Sequence, residues 1–195
     1  GCQGGVSMIG RAACRGAATI VNAIATGKGA AFGISLEVDA AVRLEHGNGE
    51  LTLLGPPEGK DLVSVCVQSI VSKAKPGHEV HGDVQVVSEI PISRGLKSSS
   101  AVSNAVVLAT AKALEVSLPD SELILAGVES SLKAGVTVTG AFDDASACFL
   151  GGVVMTDNRT FTVLDKGTLD PDLEVLLHVP ERRISKANVK DLDFS

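Results

Sequence analysis

The sequence feature that most constrains the fold is a strict alternation of apolar and mostly polar residues from Ile34 to Glu45. A period of two is typical of a β-strand with one buried and one exposed face, and a strand of this length favours an antiparallel partner. After the turn sequence of residues 46–49, Leu51–Leu54 is the candidate for the strand that returns against it. The apolar positions are Ile34, Leu36, Val38, Ala40, Val42 and Leu44.

Other segments predict helices and strands that occur in blocks. Apolar residues at helical spacing predict three helices, over Asp61–Lys73, Ala101–Val116 and Asp120–Lys133. Asp61 is the expected N-cap of the first of them. Alternation predicts strands over Asp83–Ile92 and Leu173–Val179, and a hairpin of residues 151–156 and 160–164 around Asp157-Asn158. This mixture predicts the α+β fold class rather than a strict βαβ repeat.

The charge of the chain limits the partners it can bind. With 17 Lys and Arg against 23 Asp and Glu, the 195 residues carry a formal net charge of −6. This balance argues against a nucleic-acid binder and against a protein that binds anionic membranes, so an anion would need a local site. Trp and Tyr are absent and only 5 Phe are present, so surfaces that stack on bases are not expected.

The cysteines and apolar stretches indicate the compartment. Cys2, Cys14, Cys66 and Cys148 form no CxxC pair and no Cys/His cluster, which argues against zinc and against a disulfide framework. We therefore expect buried free thiols and a cytoplasmic protein. Every apolar stretch is broken well short of about 20 residues, so no transmembrane helix is predicted. Residues 1–7 do not read as a signal peptide and are interpreted as a tag remnant or a disordered start.

The most informative segment for chemistry is Pro91–Ala101, which joins a predicted strand to a predicted helix. It contains Arg94, Gly95, Lys97 and three consecutive serines. Unpaired backbone N–H groups and the positive end of the helix dipole make a helix N-terminus a ready phosphate site, and a glycine lets the ligand come close to the backbone. The alternative is a serine N-cap without any ligand.

A second segment, residues 137–146, contains the adjacent carboxylates Asp143 and Asp144 among small and apolar residues. Carboxylates in such surroundings are costly to bury without a cation or a proton. One of them could accept the proton of a substrate hydroxyl or bind a metal ion. The alternative is an Asx-type turn that leads into a helix.

Glu129 is a third candidate. On a helical wheel it lies at the shoulder of the apolar face that contains Ile124, Val128 and Leu132. A half-buried carboxylate there would attract a metal ion or a basic partner. The alternative is an ordinary solvated residue at the edge of the face.

Together these segments resemble the GHMP kinases, small-molecule kinases that act on galactose, homoserine, mevalonate and phosphomevalonate. Residues 91–101, PISRGLKSSSA, are similar to the phosphate loop of that family, and residues 139–145, TGAFDDA, are similar to the segment with its catalytic aspartate. Residues 10–36 and 139–152 look most like the archaeal-type shikimate kinases. The resemblance runs from about Met8 to the end. It implies a mixed or antiparallel sheet packed by helices, with a left-handed βαβ unit.

The resemblance also implies roles for individual residues. Asp143, rather than Asp144, matches the catalytic aspartate, while Ser99 and Glu129 match the residues that bind magnesium. The residues implied to surround ATP are Pro91, Arg94, Gly95, Leu96, Lys97, Ser98, Ser99, Ser100 and Ala101. The candidates for substrate contacts are Arg11, Arg15 and Lys28 for a carboxylate, Asn22 (expected within a helix) for a hydroxyl, and Thr139.

The function implied is an ATP- and Mg²⁺-dependent kinase that phosphorylates a hydroxyl of shikimate, an aromatic amino-acid precursor. The alternatives are homoserine kinase or another GHMP kinase, and a non-catalytic, truncated nucleotide-binding fragment. Residues 8–165 are expected to form the N-terminal, ATP-binding domain and residues 166–195 the start of a C-terminal domain. Because the third, glycine-rich motif of the family is absent from the 195 residues, we expect them to turn over poorly alone. The sequence is compatible with a homo-oligomer.

Overall fold

The computed structural model describes residues 7–55, 59–91 and 95–178. These residues form a mixed sheet covered by helices, as the α+β prediction requires. The strands are β1 (Met8–Val21), β2 (Lys28–His46), β3 (Leu51–Leu54), β4 (Val80–Ser88), β5 (Val153–Asp157) and β6 (Thr162–Gly167). The helices are α1 (Lys60–Ala74), α2 (Ser98–Ala113), α3 (Asp120–Lys133) and α4 (Phe142–Leu150).

The long strand β2 organises the sheet. It pairs antiparallel with β1, with β4 and with β5, and β6 pairs antiparallel with β5. The prediction that Leu51–Leu54 returns against β2 is wrong, because β3 instead pairs in parallel with β4. The reason is that β1 and β4 already pair with the segment of β2 near its end, so β3 pairs with the outer strand. Together β3, α1 and β4 form a βαβ unit.

A bulge divides β2 into two halves, and the half that contains Gly33 packs against α4. The register passes from Arg15 opposite Glu37 to Ala17 opposite Gly33, so three residues of β2 face one residue of β1. Beyond the bulge, Gly33 packs closely against Ala147 and Gly151 at the end of α4. The other half of β2 presents Val38, Ala40, Val42 and Leu44 to the main core.

Helix α2 lies at the centre of this core, where it contacts β1, β2 and the other three helices. Its backbone comes so close to β1 that a side chain at Gly10 would clash with Ala109 and Ala113. The helix begins at Ser98 rather than at the predicted Ala101, so all three serines lie in its first turn. The predicted serine-rich loop is therefore already helical.

Several predicted boundaries need correction. Asn22 is not in a helix but follows β1, because residues 8–21 pair with β2 and alternate in burial over their first half. Residues 173–178 are not a strand, and Val179 lies outside the described residues. Gly59, not Asp61, is the N-cap of α1. The strand predicted over Asp83–Ile92 is β4, which ends where the Ser88 hydroxyl accepts a bond from the Ile90 backbone N–H.

Other predictions agree with the structure. The hairpin around Asp157-Asn158 is formed by β5 and β6. Cys14, Cys66 and Cys148 are buried free thiols, and Cys2 lies outside the described residues. Burial raises the pKa of Cys14 and of Cys66 to about 12. Among the described residues, none of the four helices has both the length and the apolar composition that crossing a bilayer requires. The domain boundary predicted after residue 165, which falls inside β6, stays a prediction.

Candidate active site

The N-terminus of α2 has the features of an anion site. Gly95 has a φ of 81°, and Lys97, the N-cap residue, is left-handed with a φ of 61°. No described side chain caps this end, and its first turn contains no acidic residue. Leu96 is buried and its carbonyl accepts a hydrogen bond of 3.3 Å from the Ala17 backbone N–H, which fixes the loop to β1. The backbone N–H groups of the first turn are therefore left without a described side-chain partner, next to a loop that is attached to β1.

The N-terminus of α4 has a similar backbone but carries its own negative charge. Gly140 has a φ of 80°, and the N-cap residue Ala141 is left-handed with a φ of 45°. Asp143 and Asp144 both lie in the first turn and are 5% and 7% exposed. Carboxylates at this position are stabilised by the positive end of the helix dipole.

An ion pair links the two helix ends. The Lys97 Nζ lies 3.0 Å from Asp144 Oδ2, and the Thr19 hydroxyl donates a hydrogen bond of 3.3 Å to Asp144 Oδ1. Burial raises the pKa of Asp144 above its ordinary value, and the nearby Lys97 opposes that shift. Asp144 thus has two partners and is a structural link between α2, α4 and β1.

Asp143 is held by different elements. The side-chain amide of Asn158 donates a hydrogen bond of 2.9 Å to Asp143 Oδ1, and the Thr156 hydroxyl donates one of 2.8 Å to Asn158 Oδ1. On its other side Asp143 rests on the backbone of Gly29, where an added Cβ would lie 2.5 Å from Oδ2. Only glycine allows the carboxylate to lie this close to β2.

A buried amide sets the distance between the two helices. The Asn104 side chain on α2 donates a hydrogen bond of 2.8 Å to the Ala145 carbonyl on α4. Gly127 of α3 packs against the same amide, where an added Cβ would lie 2.7 Å from Asn104 Oδ1. Asn104 Oδ1 and the Ser146 hydroxyl are buried without a hydrogen-bond partner among the described residues. The two helix ends therefore meet through a fixed contact.

The structure brings part of the predicted site together. Residues 95–101 lie at the start of α2, and Lys97 connects them to the first turn of α4, which contains Asp143. Ala101 is fully buried, so its side chain belongs to the core rather than to a ligand surface. Pro91 is half-buried beyond the end of β4, and Arg94 lies outside the described residues. The half-buried position expected for Glu129 is wrong, because its side chain is exposed on α3.

The candidates for substrate contacts are more scattered. Arg11 follows Gly10, which faces α2, and therefore points to the opposite face of the sheet. Lys28 likewise lies on the face opposite to Gly29 and Asp143. Thr139 is exposed in the segment before α4. None of these three therefore has a described contact with Asp143.

Arg15 and Asn22 have local partners instead. The Arg15 Nε lies 3.4 Å from Glu37 Oε1, and its guanidinium is near Gly151, at the end of α4 opposite to Asp143. The Asn22 side chain accepts a hydrogen bond of 2.8 Å from the Ile24 backbone N–H, which stabilises the turn between β1 and β2. Both side chains are exposed, so these contacts are surface contacts.

Sequence analysis missed three residues that contact the carboxylates, namely Thr19, Gly29 and Asn158. Asn158 was placed correctly in a hairpin turn, but nothing in its neighbourhood indicated that this turn folds back onto Asp143. Thr19 lies 125 residues from its partner Asp144. Gly29 belongs to a segment rich in glycine and alanine. Its only signal in the sequence is its small size, which it shares with its neighbours.

The two residues implied to bind magnesium are both oxygen donors. The Ser99 hydroxyl and the Glu129 carboxylate are hard ligands of the kind that Mg²⁺ prefers, and Mg²⁺ commonly combines one or two protein ligands with phosphate oxygens and water. Within residues 7–55, 59–91 and 95–178, no three His, Cys, Asp or Glu side chains are grouped closely enough to hold a metal ion. A bound Mg²⁺ would therefore depend on phosphate oxygens for part of its coordination.

Comparison with known proteins points to one family. The model described as "GHMP kinases N terminal domain" matches residues 61–152. The shikimate kinase of Methanosarcina acetivorans is 45% identical over 186 residues, which cover 93% of this chain and 62% of that relative. The shikimate kinase of Pyrococcus abyssi is 40% identical over 194 residues, which cover 96% of this chain and 69% of that relative.

A solved structure agrees on the fold. The homoserine kinase from Cytophaga hutchinsonii superposes with a TM-score of 0.64 at 17% sequence identity, over 94% of this chain and 63% of that chain. At this identity the superposition supports the fold alone. The chain spans about three fifths of the length of the Methanosarcina relative, since 62% of that protein is covered.

Proposed function

The chain belongs to the GHMP kinase family, and from this premise we propose that the protein containing it transfers the γ-phosphoryl group of ATP to a hydroxyl of shikimate. The observation that carries the proposal is the pair of linked helix N-termini: one without an acidic residue, at α2, and one with a buried aspartate, at α4. Phosphoryl transfer needs a site that binds the nucleotide phosphates and a group that accepts the proton of the acceptor hydroxyl. The α2 end suits the first of these and the α4 end suits the second.

The nucleotide phosphates bind at the start of α2. The N–H groups of Ser98, Ser99 and Ser100 and the positive end of the dipole face the phosphates, and the serine hydroxyls add hydrogen bonds. Gly95 leaves space there, since an added Cβ would meet none of the described residues within 4 Å. Bound Mg²⁺ would neutralise charge on the phosphates, and Ser99 and Glu129 are the residues proposed to hold it.

Asp143 accepts the proton of the acceptor hydroxyl. As the hydroxyl oxygen forms a bond to the γ-phosphorus, the bond from that phosphorus to the ADP oxygen breaks, and the hydroxyl proton passes to Asp143. Burial beside the backbone of β2 keeps the carboxylate in one place, and positioning supplies much of the rate enhancement in such reactions.

Shikimate is favoured as acceptor because the curated relatives at 45% and 40% identity are named shikimate kinases. The reaction would then belong to aromatic amino-acid biosynthesis. A cytoplasmic location is proposed from the buried free thiols. Residues 8–165 are proposed as the nucleotide-binding domain, and the oligomeric state is left open.

The test is a coupled assay of ADP release with the full-length protein, Mg²⁺ and ATP, in which shikimate, homoserine and mevalonate are compared at equal concentrations. We expect release that depends on shikimate and exceeds release with the other two by at least about tenfold, a difference of about 1.4 kcal/mol in transition-state binding. Release that depends on homoserine or mevalonate instead would replace the acceptor. Absence of acceptor-dependent release would favour the non-catalytic alternative.

A further inference from the structure

The structure assigns Asn158, in the turn between β5 and β6, as a positioning residue that orients the carboxylate of Asp143. This inference rests on the proposed function, because it concerns the group that accepts the proton. Asn158 Nδ2 lies 2.9 Å from Asp143 Oδ1, and Thr156 Oγ1 lies 2.8 Å from Asn158 Oδ1. The three side chains form a chain of hydrogen bonds that ends on one carboxylate oxygen.

The chain of hydrogen bonds has a single consistent direction when Asp143 is ionised. A carboxylate can only accept, so the Asn158 atom that faces it has to be the NH₂ group. The amide oxygen then faces Thr156, whose hydroxyl can donate to it. The reversed amide would place two acceptor oxygens against each other, as Asn158 Oδ1 and Asp143 Oδ1. The Asp143 carboxylate therefore selects the amide orientation, and the Thr156 hydroxyl supports it by donating to Asn158 Oδ1.

Asn158 is itself firmly held. Its backbone N–H donates a hydrogen bond of 2.7 Å to the Gly27 carbonyl, which fixes the turn against the start of β2. Thr156 is completely buried within β5. A side chain anchored by its own backbone and by a buried hydroxyl loses little freedom when it binds a third group, so the hydrogen bond to Asp143 is preorganised.

The carboxylate is consequently confined from two sides. Asn158 engages Oδ1, while Oδ2 and the Asp143 side-chain carbons lie beside Gly29, in the space that a Cβ at this residue would occupy. Rotation of the carboxylate about its terminal bond would break the hydrogen bond to Asn158. The lone pairs left for the acceptor hydroxyl thus face one fixed direction, and a misplacement of about 1 Å can cost about 100-fold in rate.

The test is a double-mutant cycle in the full-length protein with Asn158→Ala, Asp143→Asn and the combined variant. We expect Asn158→Ala to lower kcat by about 10- to 100-fold while the KM for ATP stays within about twofold. In the Asp143→Asn background the same change should lower kcat by less than about twofold, because no carboxylate is left to orient. Asn48→Ala, in an exposed turn after β2, is the matched control.

A second variant covers the case in which Asn158→Ala does not fold. Thr156→Val keeps the shape but removes the hydroxyl, and it should lower kcat in the same background-dependent way, by less than Asn158→Ala. Equal losses in both backgrounds would mean a general structural role and would overturn the inference, as would an unchanged kcat in both variants. Near-normal turnover of Asp143→Asn alone would instead overturn the proposed function, and the inference with it.

Discussion

The N-termini of α2 and α4 are built alike and used differently. Each has a glycine with φ near 80° shortly before its N-cap, and each N-cap is a left-handed residue that is not glycine, Lys97 in one and Ala141 in the other. The first turn of α4 contains two buried carboxylates, whereas the first turn of α2 contains only serines and no acidic residue.

The backbone provides the positive dipole end at both helices, and the side chains of the first turn determine whether an added anion is favoured there. At α4 the positive end of the dipole is already matched by Asp143 and Asp144, so an additional anion would be repelled there. At α2 the first turn contains no acidic residue and no described side chain caps the helix, so the same field is left for an added anion. The Lys97–Asp144 ion pair then brings the two ends into one site instead of leaving two separate helix termini.

The largest effect is expected from removing the charge that distinguishes α4. Asp143→Asn keeps the size of the side chain but cannot accept the hydroxyl proton, so turnover should fall by about 100- to 10,000-fold. Nucleotide affinity should stay within about threefold, because we propose that the phosphates bind at α2 and not at α4. Steady-state ADP release measures turnover, and nucleotide titration measures affinity. An equal loss in both would show that nucleotide binding and proton acceptance are not separated between the α2 and α4 ends.

A smaller effect is expected when α2 is made to resemble α4. Ser98→Asp places a carboxylate where we propose the phosphates bind, and repulsion should weaken nucleotide binding by about tenfold or more. The uncharged Ser98→Asn is the matched control and should lose much less affinity.

The same substitution should stabilise the nucleotide-free protein, since a carboxylate in the first turn gains about 0.3–1 kcal/mol from the helix dipole. Urea unfolding measures this gain. Unchanged nucleotide binding in Ser98→Asp would argue that the phosphates do not bind at this end of α2.

The ion pair between the two ends should contribute to stability rather than to turnover alone. Lys97→Met leaves Asp144 buried with only the Thr19 hydroxyl as partner, so the free energy of unfolding should fall by about 1–3 kcal/mol. Lys112→Met, at the exposed far end of the same helix, should change it by about 0.5 kcal/mol or less. If the two variants lose equal stability in urea, the ion pair does not hold the helix ends together.

The smallest effect is a pH dependence from Asp144. Because burial raises the pKa of Asp144 above the ordinary 3.8, its neutral form is more favoured in the folded protein than in the unfolded chain. That contribution to stability is complete below the ordinary value and is lost as pH rises through the raised value of the folded state. Relative to Asp144→Asn, which does not titrate, the wild type should therefore gain stability as pH is lowered from about 7 to about 4. A constant difference between the two would contradict the assigned pKa direction.

The sequence predicted the parts of this molecule in which a pattern is local. Alternation from Ile34 onward identified the second half of β2, but the first half escaped because Ala30 and Ala31 are both buried, which removes the period of two. The helix start at Ser98 was missed by three positions, since serines suit both a loop and a first turn.

The parts of the candidate site that consist of residues adjacent in the sequence were predictable. The contacts between residues far apart in the sequence were not. Residues 95–100 and Asp143 are read from continuous motifs. The contact of Asn158 with Asp143 depends on how the β5–β6 turn packs, and the contact of Thr19 with Asp144 depends on β1 passing beneath α4. Such contacts are set by tertiary packing, which no local spacing encodes.

The central position of α2 has a consequence for how a bound nucleotide would be detected. Between Ser98 and Ala113 only Lys112 is exposed, so the amide protons in the middle of this helix can reach solvent only when the whole fold opens. A ligand held at its first turn lowers the population of that open state throughout the molecule. If a nucleotide binds at the first turn of α2 as proposed, its binding should thus be recorded as slower deuterium uptake near Ala109, about three turns along the helix.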